Sequence, residues 1–137
     1  MLAGVERIQR GGTLFAIVVR SNFEFSGVNF VTNPESSQQI AYMRHDKGKT
    51  IPPHYHNDVR RVVHYTREVL IIRRGSLKCD LYDDQQQFLE SVIINQGDLI
   101  ALTSGGHGFV ALTEIEMIEI KQGPYAGADD KTHFSPT

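Results

Sequence analysis

Short runs of β-branched and aromatic residues, separated by turns rich in glycine and polar residues, are the feature that most restricts the fold of this chain. Thr13–Val19, 68–74 and 99–102 are runs of this kind, each four to seven residues long. No segment of ten or more residues repeats apolar positions at helical spacing. The nearest candidate, 85–94, ends in Ser-Val-Ile-Ile, which favours a strand. Strands at this spacing predict an all-β sandwich or barrel.

Two stretches give finer predictions about strand register. The alternation of Leu77, Cys79 and Leu81 with Lys78, Asp80 and Tyr82 predicts a strand with one buried face. With the run 68–74 before it and Gly75-Ser76 between them, this pattern predicts a β-hairpin. In 114–121 the apolar residues change parity halfway, which predicts a β-bulge or burial on both faces.

Length and charge exclude several classes of protein. A chain of 137 residues suits a single domain, 1–137, and its net charge of −2 offers no basic surface for nucleic acid or for an anionic membrane. The longest apolar run is too short to span a bilayer, and the N-terminus lacks the pattern of a signal peptide. With Cys79 as its one cysteine, the chain forms no internal disulfide, which predicts a cytoplasmic protein. The tail from about residue 123 is polar and expected at the surface.

A pair of histidines and one glutamate carry the chemistry that the sequence predicts. His54 and His56 follow Pro52-Pro53, and on a strand both imidazoles would point to the same side. Glu68 stands directly before an apolar run, where a charged side chain is costly unless it has a partner. Mixed nitrogen and oxygen ligands suit Mn, Fe, Ni, Cu or Zn. These residues therefore predict a site for a divalent transition metal.

The same residues resemble the two motifs of the cupin superfamily. Gly48, five residues, His54-Tyr55-His56, then Glu68, six residues and Gly75 resemble the first motif. Gly97-Asp98, followed by an apolar run and then by 103–109 with His107, is similar to the second motif. The resemblance covers about 48–111. It implies a cupin jelly-roll β-barrel (double-stranded β-helix) with His54, His56, Glu68 and His107 as metal ligands.

The chain departs from these motifs at three places. Eleven residues, 57–67, separate His56 from Glu68, which is more than the family usually has, and we expect them to loop out. Thr103 stands in place of the usual proline, with His107 one residue early, and Ala111 replaces the usual asparagine.

The neighbouring polar residues are candidates for binding a substrate. Arginine recognises carboxylate and phosphate groups, and a tyrosine can share the same pocket. The candidates are Arg44, Tyr42, Arg60 and Arg61. Residues 41–48 and 97–125 resemble short single-domain cupins of bacterial polysaccharide and nucleotide-sugar biosynthesis. That resemblance implies a metal-binding cupin acting on a small oxygen-rich metabolite, such as a sugar derivative; a metal-dependent oxygenase would be a subset that needs Fe(II).

Two alternatives remain open at this point. A metal-free nucleotide-sugar ketoisomerase or epimerase would use His54 or His56 as its base, with Tyr65 or Tyr42 handling the other proton. A non-catalytic cupin would only bind a small ligand.

Assembly and the remaining reactive side chains complete the predictions. We expect a homodimer in which Thr13–Val19 or Phe23–Phe30 crosses to the neighbour, because an apolar edge strand favours pairing. The alternative is that these residues cover their own barrel. His45, His64 and His133 are expected to be structural or surface residues, and Cys79 a core residue.

Overall fold

The computed structural model describes residues 3–136, and its regular structure is almost entirely antiparallel β. The prediction of an all-β chain is confirmed. The strands are β1 (Val5–Arg10), β2 (Thr13–Val19), β3 (Gly27–Phe30), β4 (Ala41–Arg44), β5 (Glu68–Arg74), β6 (Ser76–Tyr82), β7 (Phe88–Asn95), β8 (Leu99–Leu102), β9 (Gly106–Ala111) and β10 (Glu116–Lys121). A 3-10 turn, Gly127–Asp130, is the one helical element within 3–136, and no helix there is long and apolar enough to cross a membrane.

The strands form three antiparallel sheets. One has five strands in the order β1-β2-β8-β5-β10, one has three in the order β7-β6-β9, and one pairs β3 with β4. The strands described by the structure do not close into a barrel. The chain divides into two compact units: Glu24–Tyr65, which holds β3 and β4, and a larger unit formed by the residues on either side of it. The assignment of 1–137 to a single cupin domain stays a prediction.

The core of the larger unit is built by the inward faces of its two sheets. The five-stranded sheet contributes Ile8, Ala16, Val18, Leu70, Ile72, Ile100 and Leu102, and the three-stranded sheet contributes Leu77, Cys79, Leu81, Val92 and Ile94. The predicted alternation along β6 is therefore confirmed. Full burial of an aliphatic side chain stabilises by about 1.5–3 kcal/mol, so this double layer holds the two sheets together.

The predicted hairpin at Gly75-Ser76 is wrong. β5 pairs with β8 and β10, whereas β6 pairs with β7 and β9, so the chain changes sheets at Gly75 instead of turning back within one sheet. Gly75 has φ +87°, and a Cβ there would lie 2.3 Å from the carbonyl oxygen of Glu114. Alternating hydrophobicity predicts which face of a strand is buried, but it does not predict which strands pair. Both edges of β5 are paired with strands that are distant in the chain.

A register shift lies near the change of parity in 114–121, but its extra residue, Arg73, belongs to β5, so it does not explain the slip between Met117 and Ile118. The register of β10 against β5 shifts between Glu116 and Met117. Ile118 and Ile120 remain 44% and 50% exposed, so burial on both faces, the alternative reading of the sequence, does not occur in the described structure.

β2 lies inside the five-stranded sheet, between β1 and β8 of the same chain. Its two edges are both paired, which matches the alternative that Thr13–Val19 covers its own core. The homodimer stays a prediction.

A buried carboxylate fixes the turn between β7 and β8. Asp98 is 3% exposed and accepts hydrogen bonds from the backbone N–H groups of Ser21 and Asn95, both at 2.8 Å. The guanidinium of Arg20 donates to Asp98 Oδ2 at 3.0 Å and also pairs with Glu6. This network ties the end of β2 to the 95–98 turn.

Candidate metal centre

Glu68, at the start of β5, projects toward the core of the larger unit. It shares a strand face with Leu70 and Ile72, which are both core residues, because side chains two apart on a strand point the same way. The residue is only 9% exposed. Burying a carboxylate is costly unless it is paired, so its partner is the main question about this site.

That partner is His107, which lies on β9 in the opposite sheet. His107 stands opposite Leu81 in the β6–β9 register and so takes the same inward face. Its Nε2 lies 3.1 Å from Glu68 Oε1, and the imidazole donates a hydrogen bond to the carboxylate. This bond is the largest influence on Glu68 and holds the pKa of its carboxyl below the usual value, although burial acts in the opposite direction.

A second carboxylate, Glu119 on β10, completes the group around Glu68. Glu119 stands opposite Leu70 in the β5–β10 register, so it is the diagonal neighbour of Glu68 on the same sheet face, and the two carboxyl groups influence each other's pKa. This interaction raises the pKa of Glu119 and lowers that of Glu68. Glu119 was not predicted from the sequence, although its carboxylate interrupts an apolar strand between Ile118 and Ile120, much as Glu68 precedes an apolar run.

The C-terminal segment lies beside these residues. The ammonium group of Lys131 favours the charged form of both Glu68 and Glu119, and for Glu119 it partly offsets the rise in pKa caused by Glu68. Asp130 accepts a hydrogen bond from Thr66 Oγ1 at 2.5 Å, and the ring of Phe134 meets Tyr82 edge-on at 5.2 Å. The tail was predicted only to be polar and at the surface; these contacts hold it at the Glu68 end of the core.

His54 and His56 belong to the other unit, and the prediction that they lie on a strand is wrong. No strand forms between residues 45 and 67, where Pro52 and Pro53 have no N–H to donate to a ladder. The two imidazoles are nevertheless neighbours, with ring centroids 5.4 Å apart.

The orientation of the His54 ring is set locally. Its Nδ1 lies 2.8 Å from the carbonyl oxygen of Pro52. A carbonyl oxygen only accepts, so Nδ1 donates this hydrogen bond, and Nε2 is the ring nitrogen that faces away from it. A backbone carbonyl bound to the second ring nitrogen is the usual arrangement of a histidine that ligates a metal.

The predicted substrate-binding residues also lie in the smaller unit. Tyr42 and Arg44 lie on β4, and Arg44 Nη1 is 4.0 Å from Glu24 Oε2 with its side chain 64% exposed. Arg60 and Arg61 are exposed in the segment 57–67, which forms no strand, and Tyr65 is exposed as well. Their roles in substrate binding or catalysis stay predictions.

The distance between Glu68 and His107 fits two ligands of one ion. Ligand atoms about 2.1 Å from a metal and separated by 90–109° are roughly 3.0–3.4 Å apart, and the observed separation is 3.1 Å. Within residues 3–136, no group of three or more His, Cys, Asp or Glu side chains is arranged as a complete metal site. The structure thus brings Glu68 to His107 and His54 to His56, and the four-ligand set remains a prediction.

Comparison with protein-family models, curated proteins and solved structures finds no match to this chain. Any functional interpretation therefore depends on the motif residues and on the geometry described above.

Proposed function

We propose that this protein is a metal-dependent cupin that acts on a small, oxygen-rich metabolite, a sugar derivative of polysaccharide or nucleotide-sugar metabolism. The observation that carries the proposal is the contact between Glu68 and His107. These two residues belong to different motifs and different sheets, and yet their side chains lie 3.1 Å apart.

Two features of the larger unit support a cupin jelly roll. Its two antiparallel sheets enclose one apolar core, as a jelly roll requires. Gly75 and Gly97, which close the first motif and open the second, have φ +87° and +85°, and a Cβ on either would clash with a neighbouring residue. Glycine at these two motif positions thus has a physical reason in this chain.

The proposed mechanism assigns separate tasks to separate side chains. Glu68 and His107, with His54 and His56, would hold a divalent transition metal. When bound, such an ion supplies a Lewis acid that polarises a carbonyl or hydroxyl oxygen. Arg44, Arg60 and Arg61 would bind an anionic group of the substrate, because the guanidinium fork matches carboxylate and phosphate. Tyr42 would orient a hydroxyl by hydrogen bonding.

Metal analysis tests this function. We expect protein purified without chelator and reloaded with Mn, Fe, Ni, Cu or Zn in turn to retain about one ion per chain of at least one metal. His54→Ala and His107→Ala should each lose that ion. His64→Ala is the matched control, because His64 is an exposed histidine of the same segment as His54 and has no assigned role. Failure of wild-type protein to retain any of the five metals would overturn the proposal.

A metal-free ketoisomerase or epimerase is the second candidate, and one specific observation favours it. A histidine whose ring is hydrogen-bonded to a carboxylate is a common arrangement for a general base, and Glu68 holds His107 in this way. In that case His107 joins His54 and His56 as a candidate base. Turnover of a keto-sugar nucleotide that persists after exhaustive chelation would favour this alternative over the metal-dependent one.

A further inference from the structure

We propose that the C-terminal segment 130–134, which we call the strap, fastens the two sheets of the larger unit together beside Glu68 and His107 and fixes the separation of these two side chains. Asp130 and Phe134 are then positioning residues of the site, although neither belongs to the two motifs. The inference rests on the proposed function for the role of the pair as metal ligands. All of the contacts that carry it lie within the larger unit of the chain.

The first anchor of the strap is Asp130, which is held beside Glu68. Its Oδ1 accepts a hydrogen bond from Thr66 Oγ1 at 2.5 Å, and Thr66 is two residues before Glu68, which begins β5. Its Oδ2 lies 3.9 Å from Nζ of Lys121, which stands opposite Glu68 in the β5–β10 register. The Asp130 side chain is only 15% exposed. This end of the strap is therefore bound to the five-stranded sheet.

The second anchor is Phe134, which lies on the three-stranded sheet beside His107. Its ring meets Tyr82 edge-on, with the ring centroids 5.2 Å apart. The ring also covers Gly106, the residue before His107 on β9, so closely that a Cβ on Gly106 would lie 2.9 Å from it. Gly106 and Tyr82 stand opposite each other in the β6–β9 register, so the ring rests on both strands.

The chain between these anchors has to cross from one sheet to the other. The four steps from Asp130 to Phe134 span at most about 14 Å, and the facing sheets of a sandwich lie about 10 Å apart. Residues 131–133 therefore bridge the gap directly, at the end of the core where Glu68 Oε1 is 3.1 Å from His107 Nε2. The ammonium group of Lys131, in this bridge, favours the charged form of Glu68, which agrees with the path.

The strap matters for the site because β9 is an edge strand. Among the described strands, β9 pairs only with β6, so the position of His107 depends on one neighbouring strand and on the ring of Phe134. Two ligands on separate sheets hold one ion only while their separation stays constant to within about 0.5 Å. By joining the two sheets at this point, the strap supplies that constraint.

Labelling of metal-free protein with diethyl pyrocarbonate tests the strap without depending on a metal. The reagent acylates accessible imidazoles, and mass spectrometry compares His107, whose side chain is 30% exposed, with the exposed His64 in the same sample. We expect Phe134→Ala and Asp130→Ala each to raise the rate at His107 relative to His64 by about three- to tenfold, because local opening of the strap uncovers the imidazole. Asp130→Asn should keep the wild-type rate, because its amide oxygen still accepts from the threonine hydroxyl.

Phe88→Ala is the matched control for the aromatic anchor. Phe88 also meets Tyr82 edge-on, at 5.8 Å, but it lies on β7 and outside the strap, so its loss should leave the labelling rate unchanged. Gly106→Ala should raise the rate, because its methyl group displaces the ring of Phe134. Adding Phe134→Ala to Gly106→Ala should raise the rate no further than Phe134→Ala alone, since both changes release the same contact.

Cobalt binding connects the strap to the proposed site, because Co²⁺ reports affinity and coordination through its visible absorption bands. We expect Phe134→Ala and Asp130→Ala to weaken Co²⁺ binding by about tenfold, the lower end of the range for groups that orient metal ligands, and to alter the bands. Phe88→Ala should change neither.

The inference is overturned if either readout stays at its wild-type value in both strap variants, or if Phe88→Ala produces the same change. Absence of binding of Co²⁺ and of the five metals above by wild-type protein would instead overturn the proposed function. In that case the labelling rates alone would decide whether the strap holds His107.

Discussion

Replacing Asp98 with alanine should destabilise the protein more than any exposed charge substitution. The Asp98 carboxylate accepts two backbone N–H groups at 2.8 Å and the Arg20 guanidinium at 3.0 Å, and it is 3% exposed. Water cannot replace these bonds without opening the turn between β7 and β8. The N–H groups of Ser21 and Asn95 would be left without a partner.

The magnitude follows from the type and number of these bonds. A hydrogen bond to a charged group contributes about 1.5–3 kcal/mol, and breaking a buried ion pair from one side costs about 3–5 kcal/mol. Arg20 keeps its pairing with Glu6, which limits the loss on the arginine side. We therefore expect Asp98→Ala to lower the free energy of unfolding by about 3–5 kcal/mol, out of a typical total of 5–15 kcal/mol.

Urea unfolding of the metal-free protein, followed by circular dichroism, measures this change. Glu90→Ala is the matched control, because Glu90 also pairs with an arginine, Arg10, but the two side chains are 38% and 52% exposed. An exposed pair contributes at most about 1 kcal/mol. Equal losses in the two variants, or a loss below about 1 kcal/mol for Asp98→Ala, would refute the reasoning.

Three further predictions concern the sheet crossing, the core thiol and the acid limit of stability. Gly75→Ala should lower the free energy of unfolding by at least about 2 kcal/mol, because it adds a clash with Glu114 to the penalty for a left-handed residue. Gly12→Ala, at φ +81° with open space around it, should lose only the conformational part. Equal urea midpoints for the two variants would contradict this prediction. Burial raises the pKa of the Cys79 thiol to about 12, so labelling by a disulfide reagent at pH 8 should be negligible until the protein unfolds, and rapid labelling of native protein would contradict the core assignment. The pKa of Glu68 is lowered in the folded state, so the stability that Glu68 contributes is complete above its ordinary pKa of 4.5 and is lost as the pH falls through the lower folded value. Glu119, whose pKa is raised, acts in the opposite sense. The gap in urea midpoint between wild type and Glu68→Gln should therefore narrow below pH 4.5, and a gap that widens there would be inconsistent with the His107 contact.

Sequence patterns predicted the local structure well. The strands Thr13–Val19 and Glu68–Arg74 have the expected bounds, and the buried face of β6 was predicted. These features depend on period and composition, which a single sequence contains.

Pairing and side-chain partners were harder to predict. The hairpin at Gly75 was wrong because the partners of β5 and β6 are distant in the chain. The strand at His54 and His56 was wrong because extended proline-containing backbone does not pair by itself. Glu119 was missed because strand register, which places it beside Glu68, is set by tertiary contacts.

The measurement that tests the metal site most directly is anomalous diffraction from metal-loaded crystals at the absorption edge of the bound ion. We predict an anomalous peak about 2.0–2.2 Å from both Glu68 Oε1 and His107 Nε2. A peak bound elsewhere, or a fully loaded crystal in which Glu68 and His107 still bond only to each other, would contradict the account.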